Sequence, residues 1–465
     1  MIIDEAIDAF RRSAIDIDCK RIVLRQNKEG GARFEGQGYI RQAADGTLEF
    51  KLYTIKYENI RPLDDFDARL RAVAGQLRSD DTFYDLMAVG RDNTNWAAAR
   101  ILPRLHWDIS DSSVLVTGQM QSIVAHLKLP QPRPYLRLHF FEEYNVPLRF
   151  MSKAEIHGSE YMVRDRAEFD ALGAKFEVRK REGSGDTVFE VTSDTAFPRA
   201  FYLRIQEALQ YITARTAIWR VKLESEGDKL LLELASPWRK SARPQFSPPI
   251  SPASSDFQSH VWRLFGCYLA YVVETTRDTY WNPAAYHLYN ACESSSNSID
   301  ASAVGVSVAV EAIVGLVQLP SDKAKADRVS LLQQRMRKCL AAQTDFADLA
   351  DRMRGLIDMM GSKRPQDTLY ALAEMDCAER AYVDTWKDLR NRHVHPTLKD
   401  LKKPDMADYQ RQFDNIYRVE VLLRQVTFHL IGYQGPFTDY GAANFPSKQY
   451  PLVKAGTTTE SPANS

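Results

Sequence analysis

Residues 237–256 read PWRKSARPQFSPPISPASSD, and the chain changes character across them. Pro237, Pro244, Pro248, Pro249 and Pro252 exclude a regular helix or a central strand. The stretch is therefore expected to be a semi-rigid linker between two regions. Before it the apolar pattern has period two. Phe34 to Ile40 and Leu48 to Ile55 alternate around Asp45-Gly46, a hairpin signal. Phe176 to Arg181 and Thr187 to Val191 flank Gly183-Ser184-Gly185-Asp186, and Trp219 to Leu223 and Lys229 to Leu234 flank Glu226-Gly227-Asp228. Ser113 to Thr117 and Tyr135 to Phe141 add further strands. One helix is expected here, from Phe201, Ile205, Ala208, Leu209 and Ile212. Residues 1–236 thus read as a β-rich region, either one large sandwich-like domain or two dividing near residue 150.

After residue 256 the period becomes 3.6. Helices are expected at roughly 257–276, 299–318, 323–342, 345–360, 378–395 and 405–432, with a loop from Gly361 to Asp367. Residues 257–435 form an all-α bundle in this reading, and 436–465, rich in Gly, Pro, Ser and Thr, a tail with a disordered end. The fold class is α+β and multidomain.

The 465 residues are 44% hydrophobic and 26% charged, ordinary values for a globular chain. With 61 basic and 61 acidic residues the formal net charge is zero, which argues against a globally basic nucleic-acid coat. Five scattered cysteines, without a CxxC pair, read as reduced thiols of a cytoplasmic protein. No signal peptide and no membrane span are expected. Nucleotide-binding glycine loops and the GxSxG elbow are absent. The Asp64-Asp65 and Asp80-Asp81 pairs lack metal-site partners and read as solvated turns.

The run Leu389-Arg390-Asn391-Arg392-His393-Val394-His395-Pro396 closes the penultimate helix. An Arg and a His with four to six residues between them occur four times: Arg100/His106, Arg133/His139, Arg390/His395 and Arg424/His429. The first two lie in the β-rich half. The last reads as a surface arginine and a packed histidine. Only Arg390/His395 combines a polar residue, Asn391, directly after the arginine with an all-helical setting. Upstream, Ser307-Val308-Ala309-Val310-Glu311-Ala312-Ile313-Val314 is an apolar helix with a single acid.

This combination resembles the ApeA-like HEPN family, prokaryotic proteins of abortive infection against phage, over roughly residues 257–435. The resemblance implies a dimerising bundle with a metal-independent RNA-cleaving site at the dimer interface and no cofactor. It also implies an RNA substrate such as tRNA, and a β-rich region that senses a phage-derived trigger.

The residue chemistry suits that implication. Histidine moves protons near neutral pH, and arginine holds phosphate and stabilises developing charge. Asn391 can donate to a phosphate oxygen. Pro396 disfavours α geometry at His395, so the helix should end there. Positions five apart on a helix point about 140° from each other. Arg390 and His395 therefore need the arginine's reach, a frayed helix end or a partner subunit to converge. Glu311 reads either as the group orienting Arg390 or His395, or as half of a structural ion pair. His393 reads as a capping group with a catalytic alternative. Tyr382 and Trp386 read as core rather than base-stacking residues, and Lys399, Lys402 and Lys403 as solvated surface rather than an RNA-steering patch. The competing reading of the whole chain is a non-catalytic HEPN-type assembly module with a ligand-sensing N-terminal domain.

Overall fold

The computed structural model describes residues 3–60, 77–108, 113–128, 133–156, 159–181, 185–237, 246–276, 281–320, 322–342, 347–360, 364–394 and 405–452. Asp64, Asp65, His395, Pro396, Lys399, Lys402 and Lys403, and all positions from 453 on, lie outside them. The fold is α+β: a large antiparallel sheet followed by a helical region. Compactness divides the chain into a first unit, 1–202 with 217–241, and a second, 203–216 with 242–465.

The first unit opens with α1 (Ile3–Arg11), whose Ile7 and Phe10 are buried. The β-rich reading did not include this helix. Its strands begin with β1 (Asp16–Gln26), β2 (Arg33–Gln42), β3 (Leu48–Glu58), β4 (Tyr84–Gly90) and β5 (Asn95–Ile101). Next come β6 (Arg104–Asp108), β7 (Ser113–Met120), β8 (Ser122–Lys128), β9 (Tyr135–Phe140) and β10 (Phe150–Ile156). The set closes with β11 (Ser159–Ala171), β12 (Ala174–Lys180), β13 (Thr187–Ser193), β14 (Val221–Glu226) and β15 (Lys229–Ala235). All belong to one sheet, ordered β10-β11-β12-β13-β9-β14-β15-β8-β5-β4-β1-β2-β3-β7-β6. The sheet therefore runs across residue 150 without a break in pairing. The three expected hairpins pair as β2/β3, β12/β13 and β14/β15.

Alternation buries Phe34, Ile40, Leu48, Phe50 and Leu52 on one side of β2 and β3, joined in the core by Ile22, Leu24, Val116 and Leu232. Gly36 and Gly38 let β2 approach β3, because a Cβ at either would collide with the carbonyl of Tyr53 or Lys51.

The second unit holds most of α2 (Phe201–Thr213), then α3 (Phe257–Thr275), α4 (Pro283–Ser294) and α5 (Ile299–Leu316). It continues with α6 (Asp322–Ala341), α7 (Ala347–Met359), α8 (Pro365–Glu374), α9 (Arg380–Val394) and α10 (Met406–Leu430). The sequence reading lacked α4 and α8, and both begin at a proline. Pro fits the first helical turn, where its missing N–H is not needed. Asn282 caps α4 by accepting the amide of Ala284 at 2.9 Å. The loop expected from Gly361 to Asp367 thus ends at Arg364.

Two further expectations are corrected. The stretch read as linker is described at Pro237 and from Phe246 onward, and from Phe246 it is packed: Phe246 and Ile250 are buried, and Thr438 donates its amide to the carbonyl of Pro249. The stretch read as tail contains a hairpin, β16 (Gly435–Thr438) with β17 (Ser447–Tyr450), that buries Phe437, Asp439 and Tyr450.

Arg424, read as a surface residue, is 5% exposed. Its guanidinium lies 4.5 Å from the Phe246 ring centre and 5.6 Å from that of Tyr211, and it donates to the Ser247 carbonyl. Flat guanidinium faces tolerate aromatic burial where an ammonium would not.

Candidate functional site

Two helices carry the candidate residues. Ser298 starts α5 as a cap, its Oγ accepting the Ala301 amide at 3.1 Å. Gly305 allows α5 to lie close on α4, since a Cβ there would strike Ser294. By length and composition α5 is also apolar enough to cross a membrane. In this fold Ala303, Val306, Ser307, Ala309, Val310, Ile313 and Val314 are buried.

The motif helix α9 packs on α5 through Trp386, whose Nε1 donates to the Ser307 carbonyl at 3.1 Å. Tyr382 donates its hydroxyl to both oxygens of the buried Asp439, at 2.8 and 2.9 Å. Both aromatic residues are therefore packing residues, with their polar atoms spent on structure.

One turn beyond Trp386, Arg390 reaches Glu311 with two parallel hydrogen bonds: Nε to Oε2 at 2.8 Å and Nη2 to Oε1 at 3.2 Å. The pair is half open, with side chains 29% and 37% exposed, and Nη1 makes no hydrogen bond to a described residue. A guanidinium held through one edge keeps its remaining donors for an incoming oxyanion. The arginine also lies 6.0 Å from the Trp386 ring centre.

Asn391 is exposed and makes no side-chain hydrogen bond to a described residue. His393 is turned inward. Its Nδ1 lies 3.4 Å from Asp300, and its Nε2 lies 3.4 Å from Gln412 Nε2, which donates to Asp300 at 2.9 Å. Burial pushes the imidazole pKa below its ordinary value against the pull of Asp300. That keeps the ring neutral at physiological pH, as a tie between the end of α9 and the start of α5. The structure thus brings Arg390 and Glu311 together and places His393 in a separate contact. The helix is described as far as Val394, and His395 lies outside the described residues.

A second feature was not legible as a motif. A cleft of about 260 Å³ lies between the α4–α5 turn and α10, lined by Ser295, Ser296, Asn297, Ser298, Ile299, Ser302, Phe413, Ile416, Tyr417 and Glu420. The serine run was visible in the sequence, but its facing wall comes from more than a hundred residues away.

The unit also buries a polar cluster on α2. Arg204 and Glu207 pair at 3.1 Å, with both side chains nearly inaccessible. Burial raises the Glu207 carboxyl to about 7, opposed by Arg204 and by the Asn282 amide. Tyr211 stacks on Tyr268 with ring centres 4.3 Å apart.

Among the described residues no three His, Cys, Asp or Glu side chains converge where a metal could sit. Compared with protein-family models, with curated proteins and with solved structures, the chain finds no match.

Proposed function

We propose that the protein is a metal-independent endoribonuclease of HEPN type, acting in the cytoplasm in antiphage defence, with Arg390 and His395 as its catalytic pair. The observation that carries this reading is the half-open Arg390–Glu311 pair at the end of α9. Glu311 fixes the orientation of the guanidinium, Nη1 is left for a phosphate oxygen by the described residues, and the chain runs from this point directly into His395. In the proposed reaction His395 moves the proton of the ribose 2′-hydroxyl or of the leaving 5′-oxygen. Arg390 stabilises the charge that develops on the phosphorane. Asn391, exposed on the same turn, holds the substrate phosphate.

A dimer completes this reading. The face of α5 that bears Glu311 also carries Val304, Val308 and Ala312, and Val308 is 46% exposed. Such an apolar strip beside the candidate site suits contact with a second copy of the chain. The β-rich unit is then the sensor for a phage-derived trigger.

One observation favours the non-catalytic alternative. Glu311 already occupies two of the Arg390 donors and neutralises its charge. The experiment that decides is incubation of the full-length protein, and of its His395→Ala variant, with total RNA or tRNA in EDTA. Cleavage by the wild type alone supports the nuclease, and equal cleavage or none supports the alternative.

A further inference from the structure

We propose that the cleft between the start of α5 and the middle of α10 holds a single nucleobase of the RNA strand, beside the scissile phosphate. The proposal deepens the nuclease reading and rests on it. At about 260 Å³ the cleft falls just below ordinary small-ligand pockets of roughly 300–1,000 Å³. It takes one ring system rather than a run of nucleotides.

Its lining selects for a flat, uncharged, hydrogen-bonding ring. Phe413 and Tyr417 stand one turn apart on α10 and offer aromatic surface for stacking. Asn297, Ser298 and Ser302 form the opposite, polar wall. Among the described lining residues there is no Lys or Arg, so a phosphate group has no counter-charge here.

Polar capacity is left over. The hydroxyls of Ser302 and Tyr417 make no hydrogen bond to a described residue. Glu420, also in the lining, is 3% exposed, and it accepts the Ser247 amide at 3.4 Å together with a hydrogen bond from the Ser247 side chain. Burial pushes this carboxyl up to about 8, against the pull of Arg424. At neutral pH it therefore holds a proton, which a ring nitrogen or carbonyl of a nucleobase can accept.

The cleft adjoins, along α5 and α10, the contact that holds the end of α9. Ile299 and Phe413 in the cleft wall are chain neighbours of Asp300 and Gln412, the two residues that hold His393. His393 in turn lies three residues from Arg390.

The test is direct binding to the full-length protein, independent of cleavage. AMP, GMP, CMP and UMP are titrated calorimetrically, and a 2′-O-methyl oligoribonucleotide, which cannot be cut through its 2′-oxygen, competes with AMP. The expected result is saturable binding, tighter for the purines because their stacking surface is larger, and weakened at least tenfold in Tyr417→Ala. Ser302→Trp, which fills the cleft from its polar wall, gives the same loss while melting with the wild type. The oligoribonucleotide displaces AMP.

No binding at millimolar nucleotide, or binding unchanged in both variants, overturns the proposal. Binding of AMP that the oligoribonucleotide does not displace makes the ligand a free nucleotide and overturns its RNA part. Nucleotide binding without any RNA cleavage leaves the cleft standing and removes the nuclease.

Discussion

Glu311 grips Arg390 through the Nε and Nη2 edge of its guanidinium, at 2.8 and 3.2 Å, and does not engage Nη1. The carboxylate therefore both orients the arginine and competes with substrate for it, and substitution separates the two roles. Glu311→Gln is expected to lower the cleavage rate about tenfold, because the arginine loses its fixed direction. A rise in rate would mean that the glutamate only quenches the charge. Stability should change by less than about 1 kcal/mol, as for other solvent-screened pairs. Single-turnover cleavage and thermal melting of the same preparation read both quantities.

Arg390→Ala and His395→Ala are each expected to reduce cleavage 100-fold or more, the usual scale for loss of a transition-state donor. Melting temperature should hold for the arginine variant, since its partner is half exposed. EDTA should have no effect, and products should end in a 2′,3′-cyclic phosphate, detectable by end-specific ligation.

Val308→Arg places a charge on the exposed strip of α5. Light scattering is expected to show a dimer for the wild type and a monomer for the variant, and cleavage should fall with dimer content. A monomeric wild type that remains active would refute the shared site.

Two buried carboxyls make stability depend on pH. Glu207 and Glu420 titrate at about 7 and about 8 instead of 4.5, because burial penalises their charged forms. A raised pKa means that the folded state binds the proton more tightly than the unfolded one. Their contribution is therefore complete below about 4.5 and is lost as the pH rises through 7 to 8. Melting temperature of the wild type should fall between pH 5.5 and 8.5 by more than that of Glu420→Gln, in which this site cannot titrate.

A fragment spanning 257–435 is expected not to fold. It lacks Tyr211, which stacks on Tyr268, and Phe246, which covers Arg424. It also lacks Asp439, which receives Tyr382. Circular dichroism should show no cooperative melt, whereas the second unit within the full chain melts cooperatively.

What the sequence revealed and concealed follows from the range of each interaction. Asp45-Gly46 and Gly227 mark hairpins because a tight turn is a local event. The helices beginning at Pro283 and Pro365 were hidden because proline reads as a breaker unless the cap before it is known. Residues 203–216 belong to the helical unit although strands surround them in the chain, and no local pattern announces that allegiance. Arg424 is hydrophilic by type, and only the rings of Phe246 and Tyr211 make its burial tolerable. In the candidate site the spacing of Arg390 and His395 was legible. The arginine's partner was named only as one of two roles for Glu311. The cleft was invisible, since Glu420 in its lining looks like any charged residue on a helix.

The bond from Tyr382 to Asp439 has a consequence in time. The two residues are 57 positions apart, and Asp439 is made later. At 5–20 residues per second the ribosome needs roughly 3 to 11 s to span that interval. Throughout it, the helix bearing Arg390 lacks the bond from Tyr382 to Asp439, and the hairpin beside Asp439 does not yet exist. A nascent chain therefore carries Arg390 for several seconds before the contact that braces its helix can form.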